Sequence, residues 1–246
     1  MKNSAQNEFI STVSHEMRTP LTSIRGFSQT LLTSWEKISD DDKKKFIKII
    51  EEQSNRLIHL VENILSVSKI DAYNNVFTHV NINDVINKVI SMISAQYKDR
   101  KIIFNPDKNE PVARLDEDKF QQIMTNLIDN ALKYSQKEVV VMTMIKGNKV
   151  QILVKDYGVG IKEEDFSKVF QKFCRLENHL TSKTQGNGLG LYITKQITEK
   201  LGGKIEFESK LDEGTIFKVE FPLFNDEEVM KCSQMSWLLI NEKSYL

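Results

Sequence analysis

From about residue 5 to residue 33, Ile10, Val13, Met17, Ile24, Phe27 and Leu31 recur at alternating steps of three and four, and Pro20 fills the missing place. That is the heptad-like seam of one long amphipathic helix. A second seam follows: Phe46, Ile50, Gln53, Leu57, Leu60, Ile64 and Val67. Its helix starts near Ser39. Ser39 with Asp42 matches a capping box, and Asp40, Asp41 and Asp42 suit the positive end of the helix dipole. The short link Ser34 to Ile38 predicts an antiparallel hairpin. Two helices alone cannot bury seams of this length, which Phe9, Leu21, Leu32, Ile49 and Val61 widen further. A homodimer closing into a four-helix bundle is the physical expectation.

After a polar joint at Asp71 to Asn75 the pattern changes. Asn83 is placed to cap a helix carrying Val85, Ile86, Val89, Ile90 and Ile93, and short strands are expected near Ile102 and Val112. A helix from about Asp116 to Tyr134 puts Phe120, Ile123, Met124, Leu127, Ile128 and Ala131 on one face. Val139, Val141 and Thr143 then alternate toward a Gly147-Asn148 turn, and Val150, Ile152 and Val154 alternate away from it. A Gly-rich segment leads into a helix from Leu189 to Leu201, stopped by Gly202-Gly203. Ile205 and Phe207, with Phe217, Val219 and Phe221, predict a last hairpin. The class is α+β: a helical hairpin, then a sandwich with helices on one face of a mixed sheet. The expected division is 1–71, 72–224 and a patternless tail, 225–246.

Lys and Arg total 34 and Asp and Glu total 34, so the 246-residue chain has no net charge. A general nucleic-acid binder needs surplus cations and is disfavoured. No apolar run in the sequence approaches the ~20 residues that span a bilayer, and no secretory leader is evident. Two cysteines, Cys174 and Cys232, suggest a reducing compartment rather than a disulfide framework. Of the ten glycines, only Gly26 precedes residue 147, so tight backbone turns are confined to the second part.

Four groups of residues can carry chemistry. His15 lies two places from the seam positions Val13 and Met17, about 200° around the helix, and so faces water. Glu16 can accept the proton of one ring nitrogen and leave the other as a nucleophile. Pro20, one turn on, removes an N–H at a cost of about 3 kcal/mol in an ordinary helix, which something must offset. Asn126, Asn130 and Lys133 stand at i, i+4 and i+7, within ~60° of one another. The two carboxamide oxygens suit a hard cation and the ammonium a phosphate, though a solvated polar face would look the same. Asp156-Tyr157-Gly158-Val159-Gly160 ends a strand, where Asp156 can accept from an amino group while the glycines admit a ligand to the backbone. Gly186-Asn187-Gly188-Leu189-Gly190 opens a helix, where free N–H groups favour phosphate. It lacks the βαβ setting of a dinucleotide fingerprint and the Gly-Lys-Ser/Thr of a P-loop. A polar loop from Gln171 to Gln185 lies between these two segments. Cys174, His59, His79 and His179 read as incidental, and Trp35 and Trp237 as packing.

Together these segments resemble the core of bacterial two-component sensor histidine kinases over residues 5–224. Phe9-Ile10-Ser11-Thr12-Val13-Ser14-His15-Glu16-Met17-Arg18-Thr19-Pro20-Leu21 is similar to the H box, and Asn126-Leu127-Ile128-Asp129-Asn130-Ala131-Leu132-Lys133-Tyr134-Ser135 to the N box. Asp156 to Gly160, Phe170-Gln171-Lys172-Phe173 and Gly186 to Gly190 are similar to the first Gly box, the F box and the second Gly box. The resemblance implies a dimerising phosphotransfer hairpin followed by an ATP-binding domain of the GHKL type. It implies His15 as phosphoacceptor, Glu16 as base, and Thr19 as a residue that positions water for dephosphorylating a partner. It implies Mg²⁺ on Asn130 with Asn126, phosphate on Lys133, and Tyr134 near the adenine. The adenine amino group would meet Asp156, with Gly158 and Gly160 shaping the pocket. Arg175 would reach the γ-phosphate, and Gly186, Asn187, Gly188, Leu189 and Gly190 would form the phosphate end of a lid. The implied partner is the receiver domain of a response regulator, docking near Ser14, Arg18, Thr22 and the second helix.

The family usually carries sensor and membrane segments before the H box, whereas here the first helix begins almost at Met1. The expectation is therefore a cytoplasmic chain, either a fragment of a larger sensor or one whose sensing comes from another protein. Two other readings compete: a GHKL ATPase of the gyrase or mismatch-repair kind, and a nucleotide-binding scaffold without phosphotransfer. Asn126, where those ATPases use a Glu, and the His15 helix weigh against the first. Intact His15, Asn130, Asp156 and Gly188 weigh against the second.

Overall fold

The computed structural model describes residues 2–69, 75–176 and 188–224. These fall into two compact units, Met1–Asn74 with Ile161–Gln196, and Asn75–Gly160 with the segment from Ile197. The Asp71–Asn74 joint and the tail from residue 225 lie outside the described residues.

In the first unit, helix α1 (Lys2–Ser34) and helix α2 (Asp40–Lys69) pack as a hairpin across a turn of 3₁₀ helix at Trp35–Lys37. Ser39 caps the helix as expected, the Asp42 N–H donating to Ser39 Oγ at 3.1 Å. The return bond joins the side chains, the Ser39 hydroxyl donating to Asp42 Oδ2 at 2.8 Å, instead of reaching the Ser39 N–H as in a full capping box. Those bonds and Lys45 hold the Asp42 carboxyl below its ordinary range. Helix α1 continues through Pro20, which is buried in the seam. Phe27 and Phe46 meet across it with ring centroids 5.0 Å apart. The seam is only partly sealed: Leu31 and Leu60 are buried, but Leu32 is 83% exposed and Ile47, Ile58 and Leu65 are about half exposed.

In the second unit, a five-stranded sheet runs in the order β2 (Ile102–Asn105), β4 (Val139–Lys146), β5 (Lys149–Lys155), β7 (Gly214–Pro222), β6 (Lys204–Lys210). Only the β2–β4 pair is parallel, so the sheet is mixed, as the alternating pattern predicts. Val141 pairs with Val154 and Thr143 with Ile152 across the Gly147-Asn148 turn, and Phe207 pairs with Phe217. Helix α4 (Glu117–Tyr134) packs on β4 and β5, while helix α3 (Ile82–Gln96) packs on α4 and β2. Phe120 of α4 meets Phe221 of β7 edge-on at 5.8 Å. All six apolar residues expected on the inner face of α4 are buried, each worth roughly 1.5–3 kcal/mol for the larger side chains. Helix α5 (Gly190–Lys200) ends where Gly202 takes φ of 77°, as the Gly202-Gly203 stop requires.

Two local expectations change. A short strand β1 (Thr78–Asn81), absent from the sequence reading, pairs antiparallel with β3 (Val112–Leu115) in a separate two-stranded sheet. The cap of α3 is Asn81, whose side chain accepts from the N–H groups of Asn83 and Asp84. Asn83 sits inside the first turn and is buried. Its amide donates to the Asp107 carbonyl at 3.0 Å, and its Oδ1 accepts from the Thr143 hydroxyl at 2.8 Å. That hydroxyl accepts in turn from the Asp107 N–H at 2.8 Å. A buried polar side chain is retained here because both its nitrogen and its oxygen find partners. Asn83→Ala strands the Thr143 hydroxyl and the Asp107 carbonyl. It should lower unfolding stability by about 1–3 kcal/mol, measured as a shifted urea midpoint at unchanged slope.

Candidate functional site

The candidate residues gather in three places. On α1, His15 projects into solvent, and among the described residues its imidazole has no hydrogen-bond or ion-pair partner. Pro20 has no N–H, so the Glu16 carbonyl loses its helical donor, and the Thr19 hydroxyl bonds back to the His15 carbonyl at 3.5 Å. Glu16 does not stand on His15. Its Oε2 lies 3.4 Å from Arg56 Nη2 of α2, with both side chains about a quarter exposed.

The second place is the end of α4. Asn126, Asn130, Lys133 and Tyr134 are all half-buried and follow one another along the helix. Among the described residues the Asn130 carboxamide makes no hydrogen bond. Lys133 Nζ sits 2.6 Å from Asp129 Oδ2, one turn back. The Tyr134 carbonyl accepts from the Val159 N–H at 3.3 Å, which joins α4 to the turn after β5. Gly158 approaches the same carbonyl so closely that a Cβ built there would stand 2.0 Å from the Tyr134 oxygen. Only glycine fits, because the obstruction is backbone. Gly160, at φ of 63°, lies against Lys210 of β6 in the same way.

Asp156, 6% exposed, heads this turn. Its Oδ1 accepts from the Gly158 N–H at 2.8 Å and the Thr215 N–H at 3.3 Å. Its Oδ2 accepts nothing among the described residues. Burial pushes the Asp156 carboxyl up from its ordinary range, against the pull of those two N–H donors. A buried acceptor with one oxygen unused is the feature that a ligand's amino group completes. Thr215 and Gly214, which the sequence reading missed, complete the support: the Asp156 N–H donates to the Thr215 carbonyl at 2.9 Å, and Gly214 passes against the Asp156 carbonyl. They lie about sixty positions further on in the chain, and no local spacing marks them.

The third place is the start of α5. Gly188 takes φ of 68° and presses on the backbone of Phe173 and Cys174, and Leu189 accepts the first helical bond from Ile193. Phe173 itself has φ of 58°, which is rare for a bulky residue. Lys195 stands over the Phe170 ring at 5.5 Å, and Lys172 over the Tyr192 ring at 4.8 Å. Arg175 is exposed just after this contact. Gly186 and Asn187 lie outside the described residues.

A family model for the His Kinase A phospho-acceptor domain matches residues 5–73, and one for the histidine kinase-, DNA gyrase B- and HSP90-like ATPases matches residues 115–225. The chain belongs to the two-component sensor histidine kinases. An uncharacterised sensor-like histidine kinase of Rhizobium meliloti is 31% identical over 89% of this chain and 43% of its own length. The sensor protein kinase WalK of Staphylococcus epidermidis is 34% identical over 88% of this chain and 36% of its own. The chain thus spans less than half the length of these relatives. Among solved structures, the histidine kinase ThkA in complex with the response regulator protein TrrA aligns with a TM-score of 0.73 at 27% identity, covering 91% of this chain and 63% of that one. Full-length ShkA in complex with AMPPNP aligns with a TM-score of 0.64 at 26% identity, covering 88% and 46%. No helix among the described residues is long and apolar enough to cross a membrane.

The lobe's residues fit an adenine nucleotide. Asp156 offers a buried acceptor, and Gly158 and Gly160 leave no side chain beside it. For a metal, no group of three His, Cys, Asp or Glu side chains converges among the described residues, and the oxygens on hand are carboxamides. That donor set suits a hard cation which keeps most of its shell from phosphates and water. The Asp156 titration is measurable by itself. In the nucleotide-free protein its carboxyl should titrate above the exposed carboxyls in carbon-detected NMR. Because its charged form is what burial disfavours, Asp156→Asn should not destabilise the empty fold at neutral pH.

Proposed function

We propose that this chain is a histidine kinase core that uses Mg-ATP to phosphorylate His15 and passes the phosphoryl group to an aspartate of a response regulator. The exposed, unpartnered imidazole of His15 is the observation that carries this reading. A ring nitrogen lone pair forms the N–P bond while the bond from the γ-phosphorus to the bridging oxygen breaks and ADP departs. Glu16 takes the proton of the second ring nitrogen. To do so it leaves Arg56, a pair about a quarter exposed and at the helix surface, whose loss costs about 0–1 kcal/mol. Asp156 accepts from the adenine amino group, Tyr134 lies by the base, and Lys133 and Arg175 meet phosphate. Gly186, Asn187, Gly188, Leu189 and Gly190 give backbone N–H groups to the phosphates. Asn130 with Asn126 would hold Mg²⁺, which when bound neutralises phosphate charge. The acceptor protein docks on the exposed face of Ser14, Arg18 and Thr22, and Thr19 directs water in the reverse dephosphorylation.

The domain division follows the same reading: 1–71 for dimerisation and phosphotransfer, 72–224 for nucleotide, and 225–246 as a tail of unassigned role. The half-exposed Ile47, Ile58 and Leu65 support a homodimer in which a second hairpin covers them. We place the chain on the cytoplasmic side, where ATP and receiver domains are found.

With γ-labelled ATP and Mg²⁺, the wild type should acquire acid-labile, base-stable label and His15→Gln none. Wild type that binds nucleotide yet stays unlabelled would make the chain a scaffold. Thr19→Ala should slow regulator dephosphorylation more than autophosphorylation, and equal losses would refute the split. AMPPNP affinity should fall as pH is lowered through the raised Asp156 pKa, since only the carboxylate accepts on both oxygens. A calorimetric profile that stays flat as pH is lowered through the Asp156 carboxyl's own NMR titration midpoint would remove Asp156 from adenine recognition.

A further inference from the structure

Lys133 is held by a chain of contacts that begins on another helix. Tyr97 caps the C-terminus of α3, its N–H donating to the Ile93 carbonyl at 3.0 Å. Its hydroxyl donates to Asp129 Oδ1 at 2.7 Å, and Asp129 Oδ2 takes the Lys133 ammonium at 2.6 Å. The carboxylate therefore uses one oxygen for each partner. Burial and the Asp129 charge push the Tyr97 hydroxyl well above its ordinary range, so it stays a donor. Three residues on, Arg100 grips the end of the same helix, donating to the carbonyls of Leu132 at 2.7 Å, Ser135 at 2.6 Å and Lys137 at 2.9 Å. The turn after α3 thus clamps α4 where Lys133 and Tyr134 sit.

An i, i+4 pair as exposed as Asp129 and Lys133 is worth little alone, because two flexible side chains must be ordered. A charge-assisted bond from a half-buried phenol removes Asp129's share of that freedom. The pairing draws the ammonium back one helical turn, to the level of Asn130. We infer that Tyr97 and Asp129 are positioning residues, which hold the Lys133 ammonium beside Asn130 to receive the outer phosphates of a nucleotide. This rests on Lys133 being a phosphate contact, as proposed above.

Calorimetric titration of the full chain with AMPPNP and Mg²⁺, and with adenosine as control, tests it. Tyr97→Phe should weaken AMPPNP about fivefold and Asp129→Asn about tenfold, with adenosine unchanged. In a Lys133→Ala background the Tyr97→Phe effect should vanish. The inference is overturned if Tyr97→Phe weakens AMPPNP equally in both backgrounds, or weakens adenosine as much, since either marks a merely structural role. No effect of Tyr97→Phe in a protein with an unchanged unfolding midpoint overturns it too. So does tighter AMPPNP binding by Asp129→Asn, which would mean that Asp129 competes with phosphate. If Lys133→Ala alone binds AMPPNP like the wild type, the phosphate role of Lys133 falls first and this inference with it.

Discussion

The nucleotide lobe depends on one contact, between the end of α4 and the turn that follows β5. The Tyr134 carbonyl accepts from Val159, and Gly158 lies against it with no room for a side chain. A helix C-terminus has carbonyls without helical partners, and this turn meets one of them. Arg100 meets those of Leu132, Ser135 and Lys137 nearby. The arrangement places the polar face of α4 and the buried Asp156 at one locus. If the helix slid by a residue, Asn130 and Lys133 would turn by about 100° and the two groups would no longer face the same locus.

The hairpin works under an opposite constraint. The His15 imidazole stands in water while the seam beside it is drawn inward. Periodicity achieves this: His15 is out of phase with Val13 and Met17, while Pro20 is in phase and buried. The proline costs the helix a hydrogen bond but gains burial. The carbonyl it leaves is that of Glu16, next to His15, and the Thr19 hydroxyl bonds to the neighbouring His15 carbonyl. The seam's remaining apolar exposure is a demand for more surface than one hairpin supplies.

Much of this was readable in advance, for physical reasons that differ by element. Both long helices, the Ser39 cap, the inner face of α4 and the β4–β5 pairing rest on local periodicity and turn chemistry, which act over a few residues. The cap of α3 was misplaced by two positions because Asn81 and Asn83 are the same residue type, and only burial tells them apart. Strand β1 is not legible in the sequence because its four residues hold a single apolar position, Val80, and so carry no alternation. Among the candidate residues, the exposure of His15, the place of Asn130 along α4 and that of Asp156 at a strand end are legible from phase and neighbours. Glu16 turning to Arg56, Thr215 supporting Asp156 and Tyr97 reaching Asp129 are not, because each pairs residues forty, fifty-nine or thirty-two positions apart.

The amino-acid order by itself determined the helical phases, the strand alternation, the positions that need glycine and the exposure of the imidazole, since these follow from geometry within a turn or two of chain. Tertiary structure alone decided which donors meet Asp156, that its second oxygen is left unused, and what grips Asp129 and the end of α4. Such contacts join segments that the chain separates, and no local period encodes which surfaces will face each other once the apolar faces are buried.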